Sequence, residues 1–245
     1  MKNNLTPLRF LERAAAVHPD RTAIVDGTRS LTYREMIEQV TRLAQALTAR
    51  GVRPGDRVAY LAPNCAEMLV AHFAVPLAGG VLVTLNTRLS PIEIAQIVEH
   101  SGSGFLFGDA PLLQPAQETL SAVRSLREIV TLPGETGEAV QLAGTTSYPD
   151  LLTAGGDEPL PFAVPDEDDA ISLNYTSGTT GDTKAPTGTA VGVRAVQPRA
   201  VERRLRDIPV PVLTSINRRQ RRGCCAANCC ARAPPHENPS TSTWS

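Results

Sequence analysis

Hydrophobic positions near the start of the chain recur at the spacing of amphipathic helices. Residues 5–17 and Thr32–Arg50 both have apolar side chains three and four positions apart, so that one helical face is apolar. Thr32 and Glu35 have the spacing of a capping box, and Gly51 follows as a C-terminal stop signal. The pattern therefore predicts two helices, the second with defined ends.

Short apolar runs between the helical segments predict strands that are buried on both faces. These runs are Arg57–Ala62, Val81–Leu85, Phe105–Phe107 and, less regular, Arg127–Leu132. Because parallel strands that alternate with helices are joined by crossover connections, the order predicts a largely parallel sheet flanked by helices. The predicted fold class is α/β.

Two more helices are predicted from their start signals. Asn64 and Glu67 fit the cap and third positions of a helix that extends to about Leu77. Ser90 begins another helix, with Pro91 in its first position.

The stretch Met68–Leu85 contains no Lys, Arg, Asp or Glu and approaches the length of a membrane span. Pro76, Gly79 and Gly80 interrupt it, which favours a buried helix followed by a buried strand. Charged residues near the N-terminus interrupt any apolar signal-peptide core. We therefore expect no membrane span and a cytoplasmic location.

Residues 133–167 are rich in Gly, Pro, Glu and Asp, which predicts surface loops with one helical turn near Tyr148–Leu152. Ala170–Asn174 predicts a further strand. It leads into Tyr175–Lys184, which has four Ser and Thr side chains in one five-residue window, two glycines and a final lysine.

This composition is that of a polyphosphate-binding loop. Glycines let backbone N–H groups approach an anion, hydroxyls add donors, and Lys184 adds a positive charge. The spacing of Gly181 and Lys184 differs from that of a Walker-type loop. The alternative interpretation is a polar surface loop without a ligand.

The run Tyr175–Lys184 resembles the signature loop of the AMP-forming adenylating enzymes, which include acyl-CoA synthetases, luciferases and peptide-synthetase adenylation domains. Upstream segments resemble the same family in order and spacing, namely Leu31–Glu35, Gly51–Leu61, Pro63–Glu67, Ala78–Gly80 and Asn86–Leu89. The resemblance covers residues 5–184 and identifies an incomplete N-terminal domain of an adenylate-forming enzyme. Asn86–Leu89 is similar to short- and medium-chain acyl-CoA synthetases.

The resemblance implies an acid–thiol ligase that activates a carboxylic acid with ATP and Mg²⁺ through an acyl-adenylate and transfers it to coenzyme A. It implies that the ATP phosphates are bound by Thr176, Ser177, Gly178, Thr179, Thr180, Gly181 and Lys184. Tyr175 is expected to pack at the strand end, and no residue is assigned as a catalytic acid, base or metal ligand. Thr183, and Ala185 before Pro186, depart from the family pattern on either side of Lys184, and Pro186 restricts the backbone of Ala185.

The segment from Ala185 to Ser245 differs in composition from the rest of the chain. Met1–Lys184 contains 14 Lys and Arg against 22 Asp and Glu, whereas the tail contains 10 Arg, no Lys and 3 acidic residues. Its cysteine pairs at 224–225 and 229–230 lack zinc-site spacing. We expect an irregular, Arg-, Pro- and Cys-rich tail and hypothesise that it is out-of-frame translation.

Three hypotheses for the function follow, in decreasing order of support. The first is an acyl-CoA synthetase fragment that is inactive alone. The second is a non-catalytic partner or regulatory chain of a full-length synthetase, and the third is an Arg-rich nucleic-acid binder. The net charge of -1 argues against nucleic acid as a partner of the whole chain. Two regions are predicted, a partial adenylation domain at 5–184 and the tail at 185–245.

Overall fold

The computed structural model describes residues 6–135, 137–156, 160–162, 169–175 and, for the backbone, 190–194. Its helices are α1 (Pro7–Val17), α2 (Tyr33–Ala49), α3 (Ala66–Leu77), α4 (Pro91–Ser101), α5 (Ala110–Leu113), α6 (Gln117–Leu120) and α7 (Tyr148–Leu152). The 3-10 turn Gln114–Ala116 joins α5 to α6. Its strands are β1 (Thr22–Asp26), β2 (Arg29–Thr32), β3 (Arg57–Leu61), β4 (Val81–Thr84), β5 (Phe105–Gly108), β6 (Glu128–Thr131), β7 (Thr146–Ser147), β8 (Ala170–Tyr175) and β9 (Ala190–Arg194).

The main sheet has seven described strands in the order β7-β6-β5-β3-β4-β8-β9. Neighbouring strands from β7 to β8 are parallel, and β9 is antiparallel to β8. β1 and β2 form a separate antiparallel hairpin. The predicted α/β class with a largely parallel sheet is therefore confirmed.

Helices cover both faces of the sheet. Alternate strand residues divide between the faces, so that Tyr60 and Phe107 belong to one hydrophobic core and Leu61 and Leu106 to the other. The first core includes the apolar sides of α1, α2 and α3, and the second those of α4 and of α5 and α6. Burial on both faces explains why these strands have continuous apolar sequences.

Both complete capping boxes lie where the sequence places them. The Thr32 hydroxyl accepts a hydrogen bond from the Glu35 N–H at 3.2 Å, and the Glu35 carboxylate accepts one from the Thr32 N–H at 2.7 Å. Ser90 and Glu93 form the same reciprocal pair at the start of α4. These helix starts are specified by residues three positions apart, so the sequence alone is sufficient to predict them.

The start of α3 differs from the prediction. The N-cap residue is Cys65 rather than Asn64, and Glu67 is in the second helical position rather than the third. The Cys65 side chain makes no capping hydrogen bond; instead, the Asp26 carboxylate accepts the Ala66 N–H at 3.0 Å. The acceptor comes from 40 positions earlier in the chain, so no local pattern could indicate it.

The charge-free stretch Met68–Leu85 contains the rest of α3 and all of β4, as predicted. Pro76 is in the last turn of α3, and the helix ends one residue later. Within the described ranges, no helix is both long enough and apolar enough to cross a membrane.

Several elements were not predicted from the sequence. They are the β1–β2 hairpin, the short helices α5 and α6, the two-residue strand β7, and β9. β9 lies in the segment that was predicted to be irregular, and it is held by pairing with β8. Residues 195–245, which include the cysteine and arginine clusters, lie outside the described residues.

Candidate functional site

The predicted phosphate loop directly follows β8, which ends at Tyr175. All seven predicted phosphate-binding residues lie outside the described residues, so their positions stay predictions. The chain is described again at Ala190, which pairs with Tyr175 across β8 and β9. The two ends of the intervening segment are therefore brought together by the sheet.

The strand β8 also has the context that a phosphate loop requires. Leu82, Val83 and Thr84 of β4 pair in parallel with β8, so the loop leaves the sheet at the carboxyl end of a parallel strand. In open α/β sheets, ligands bind outside the carboxyl ends of the strands. A loop that follows Tyr175 therefore begins at the edge of the sheet where ligands bind in such folds.

Two side chains from neighbouring elements hold the last residues of β8. The Thr84 hydroxyl donates to the Asn174 amide oxygen at 2.9 Å. The Tyr175 hydroxyl lies 2.8 Å from Nδ1 of His100, and the two rings meet edge to face with centroids 5.8 Å apart. Tyr175 packs on the second core, in agreement with its predicted role at the strand end.

A second feature lies where the sheet connections diverge. β3 connects through α3 to β4 on one side, whereas β5 connects through α5 and α6 to β6 on the other. The carboxyl ends of β3 and β5 thus form a topological switch point, a common ligand position in such sheets. A small cleft with a cavity volume of about 10 Å³ lies there. It is lined by Arg29, Ala62, Pro63, Cys65, Glu67, Asp109 and residues 132–135.

An ion-pair network forms one wall of this cleft. Arg29 contacts Glu67 at 2.8 and 3.1 Å and Asp26 at 3.0 Å, joining the β1–β2 hairpin to the start of α3. Hydrogen bonding to Glu67 is the main cause that raises the pKa of Arg29 above its usual value. Both carboxylates are nearly buried, so the guanidinium compensates charge at the helix start.

The thiol of Cys65 in the same cleft is not activated. Burial, together with the nearby Glu67 carboxylate, raises the pKa of Cys65 to about 12. The neutral thiol is a poor nucleophile. Burial likewise raises the pKa of the phenols of Tyr60 and Tyr148, which belong to the same core. The cleft has room for little more than one water molecule. Typical small-molecule sites have roughly 300–1,000 Å³, so we assign the cleft a structural role.

No group of three or more His, Cys, Asp or Glu side chains is placed to hold a metal ion within the part of the chain that the structure describes. The network of Arg29 with Asp26 and Glu67, and the contact of His100 with Tyr175, were not predicted from the sequence. Both depend on contacts between residues that are distant in sequence. Arg29 and Glu67 are 38 positions apart, and His100 and Tyr175 are 75 positions apart.

Comparison with known proteins agrees with this architecture. A sequence profile described as "AMP-binding enzyme" matches residues 11–190. The chain is 38% identical over 193 residues to an acetate/butyrate–CoA ligase of Arabidopsis thaliana, with 74% of this chain and 34% of that protein covered. It is 39% identical over 181 residues to 4-hydroxybutyrate–CoA ligase 2 of Metallosphaera sedula, with 72% of this chain and 33% of that protein covered.

Solved structures agree in fold. The anthranilate–CoA ligase AuaEII, in complex with anthranoyl-AMP, superposes with a TM-score of 0.67 and 26% identity, covering 74% of this chain and 34% of that one. The N-terminal domain of FACL13 from Mycobacterium tuberculosis gives 0.62 and 28%, covering 78% and 45%. The chain spans about a third of the length of the two curated relatives named above. It belongs to the AMP-binding enzyme family, in which it corresponds to the N-terminal region of the AMP-forming acyl-CoA ligases.

Proposed function

We propose that this chain supplies the ATP-phosphate loop of an acid–thiol ligase that forms an acyl-adenylate and then an acyl-CoA thioester. The observation that carries the proposal is the placement of β8. A segment with the composition of a polyphosphate loop begins directly after the carboxyl end of this parallel strand, in a sheet shared with acyl-CoA ligases. The proposed binding residues are those predicted from the sequence, Thr176–Gly181 and Lys184.

The chemistry of the donor set fits a triphosphate. Backbone N–H groups at Gly178 and Gly181 approach the phosphate oxygens closely because glycine has no Cβ. The hydroxyls of the loop add donors, and the ammonium group of Lys184 offsets the negative charge. Mg²⁺ bound with ATP supplies further charge neutralisation. Coenzyme A is the proposed thiol acceptor.

We propose further that the chain makes no acyl-CoA by itself. The matched part of the chain covers only about a third of each of these relatives, so a site assembled from several segments along the family's length is incomplete in it. The expected result is no thioester from ATP, coenzyme A and a short-chain acid. Thioester formation by the purified chain would show this part of the proposal to be wrong.

The acid is proposed to be a short-chain carboxylic acid. The relatives described above are named for acetate, butyrate and 4-hydroxybutyrate. The similarity of Asn86–Leu89 to short- and medium-chain synthetases agrees with that choice. We propose the cytoplasm as the compartment, although one of these relatives is named as peroxisomal.

The two lysines of the chain allow a matched test of ATP binding. Lys184 lies in the loop, and the only other lysine is Lys2. A charge-assisted hydrogen bond contributes about 1.5–3 kcal/mol, so Lys184→Ala is expected to weaken ATP binding by roughly 10- to 100-fold. Lys2→Ala removes the same charge and is expected to bind ATP as the wild-type chain does.

Isothermal titration with ATP and Mg²⁺ measures the three affinities. Weaker binding for Lys184→Ala alone supports the proposal. Equal affinities for all three proteins, or a wild-type chain that binds no ATP, would contradict the assignment of the loop.

A further inference from the structure

The end of β8 is connected by side chains to two elements that the loop itself does not include. Asn174 accepts a hydrogen bond from Thr84 of β4, and Tyr175 contacts His100 at the end of α4. These are the last two residues before the first predicted phosphate-binding residue, Thr176. Any rotation of the strand end would change the direction in which the loop leaves the sheet.

We propose that His100 is a positioning residue for the phosphate loop, acting through the hydroxyl and ring of Tyr175. This inference rests on the proposed function of the loop. His100 does not touch the nucleotide in this scheme. It fixes the orientation of the Tyr175 side chain and therefore the backbone from which Thr176 begins.

The contact has two components that reinforce each other. The hydrogen bond at 2.8 Å sets the position of the phenol oxygen, and the edge-to-face ring contact sets the ring plane. Ring pairs with centroids between about 4.5 and 7 Å are mutually attractive. A phenol oxygen both donates and accepts, so a bond to the imidazole forms whether His100 is neutral or protonated.

The position of His100 in the fold also limits how far His100 itself can move. His100 is in the last turn of α4, and Gly102 follows it in the left-handed conformation that ends the helix. Arg57 at the start of β3 donates to the Ser101 and Gly102 carbonyls at 2.7 and 3.2 Å. Tyr175 is therefore tied to a helix end that is itself fixed to the centre of the sheet.

His72 provides a matched control. Both histidines are exposed residues of helices, and both make a hydrogen bond through Nδ1. The partner of His72 is the Met68 carbonyl of its own helix at 2.7 Å, whereas the partner of His100 is Tyr175. Substitution of either residue by Ala removes an imidazole from a helix surface, but only one of them releases β8.

The test measures ATP affinity and thermal midpoint for His100→Ala, Tyr175→Phe, the double variant and His72→Ala. Loss of one net side-chain hydrogen bond corresponds to about a three- to tenfold weaker affinity for each of the first two. The double variant is expected to be no weaker than the weaker single variant, because both changes break the same contact. His72→Ala is expected to keep wild-type affinity, and His100→Gln, which retains a hydrogen-bonding group, to bind better than His100→Ala.

A purely structural role for His100 would lower the thermal midpoint without changing ATP affinity at a temperature where the protein is folded. Wild-type affinity in His100→Ala, or additive losses in the double variant, would overturn the inference. If the wild-type chain binds no ATP, the proposed function fails, and hydrogen exchange decides the positioning claim separately. Faster exchange of the Asn174 and Tyr175 amides in His100→Ala than in His72→Ala supports it, and equal exchange overturns it.

Discussion

Replacement of Arg29 by Met tests the ion-pair network that joins the first hairpin to α3. The guanidinium contacts Glu67 and Asp26 at 2.8–3.1 Å. The carboxylate side chains are each only 7% exposed, and the Arg29 side chain is 25% exposed. Met keeps most of the length of the side chain, so the change removes the charge while limiting the loss of packing.

The expected cost follows from leaving two nearly buried carboxylates without their cation. Breaking a buried ion pair typically costs about 3–5 kcal/mol, and the partial exposure of Arg29 favours the lower end, about 3 kcal/mol. Small domains have a total stability of about 5–15 kcal/mol, so this loss is a large fraction of it. Asp26 also accepts the Ala66 N–H at the start of α3, so loss of Arg29 is expected to weaken this helix cap as well.

Urea denaturation followed by circular dichroism measures the free energy of unfolding. Arg34→Met is the control, because Arg34 pairs with Asp20 at 3.1 Å while the two side chains are 57% and 85% exposed. An exposed pair contributes less than about 1 kcal/mol. Similar losses for Arg29→Met and Arg34→Met would refute the reasoning that burial of the carboxylates sets the cost.

Three further predictions concern stability. Gly102→Ala is expected to destabilise the protein more than Gly55→Ala in urea titrations. Both glycines have positive φ, where Ala costs about 1–2 kcal/mol. Only at Gly102, however, would the new Cβ lie 2.5 Å from the Arg57 guanidinium. Equal losses would contradict this. Cys65 is expected to stay unmodified by thiol reagents at pH 7 in peptide-level mass spectrometry, and because its folded pKa is raised from 9.0 to about 12, folding stability is lost as pH rises above about 9; a Cys65→Ala variant with the same alkaline loss would argue against that cause. The capping hydrogen bonds from Thr32 lower the pKa of Glu35, so their stabilisation is present above the ordinary carboxyl pKa of 4.5 and is lost as pH falls through the folded value. A Glu35→Gln variant is expected to have a shallower acid limb in stability-versus-pH measurements, and an unchanged limb would contradict the assignment.

The helices and strands with local signals could be predicted from the sequence. Thr32 with Glu35, and Ser90 with Glu93, specify helix starts through side chains three positions apart. The central strands β3, β4 and β5 are apolar because both of their faces are buried. In each case the residues that determine the element lie within a few positions of one another, so the element can be predicted without knowledge of the fold.

The elements that escaped prediction depend on distant partners. The start of α3 is set by Asp26 and Arg29 of the hairpin, which have no local relation to Cys65 or Glu67. β7 has only two residues and exists because it pairs with β6. β9 lies in the segment that was predicted to be irregular and is defined by its pairing with β8.

The candidate site also has a part that the sequence predicts and a part that it does not. The chemistry of Thr176–Lys184 can be predicted because glycines, hydroxyls and a lysine occur within nine residues. What the sequence does not give is the support behind the loop. The contacts of Thr84 with Asn174 and of His100 with Tyr175 join residues 90 and 75 positions apart.

The most direct test of the central claim is a titration of the isotope-labelled chain with ATP and Mg²⁺, followed through amide chemical shifts. If the segment after β8 binds the phosphates, the amide signals of Gly178 and Gly181 shift with ATP concentration, while those of Cys65 and Gly134 at the switch-point cleft do not. Shifts confined to the cleft, or no shifts at Gly178 and Gly181 at saturating ATP, would contradict the account.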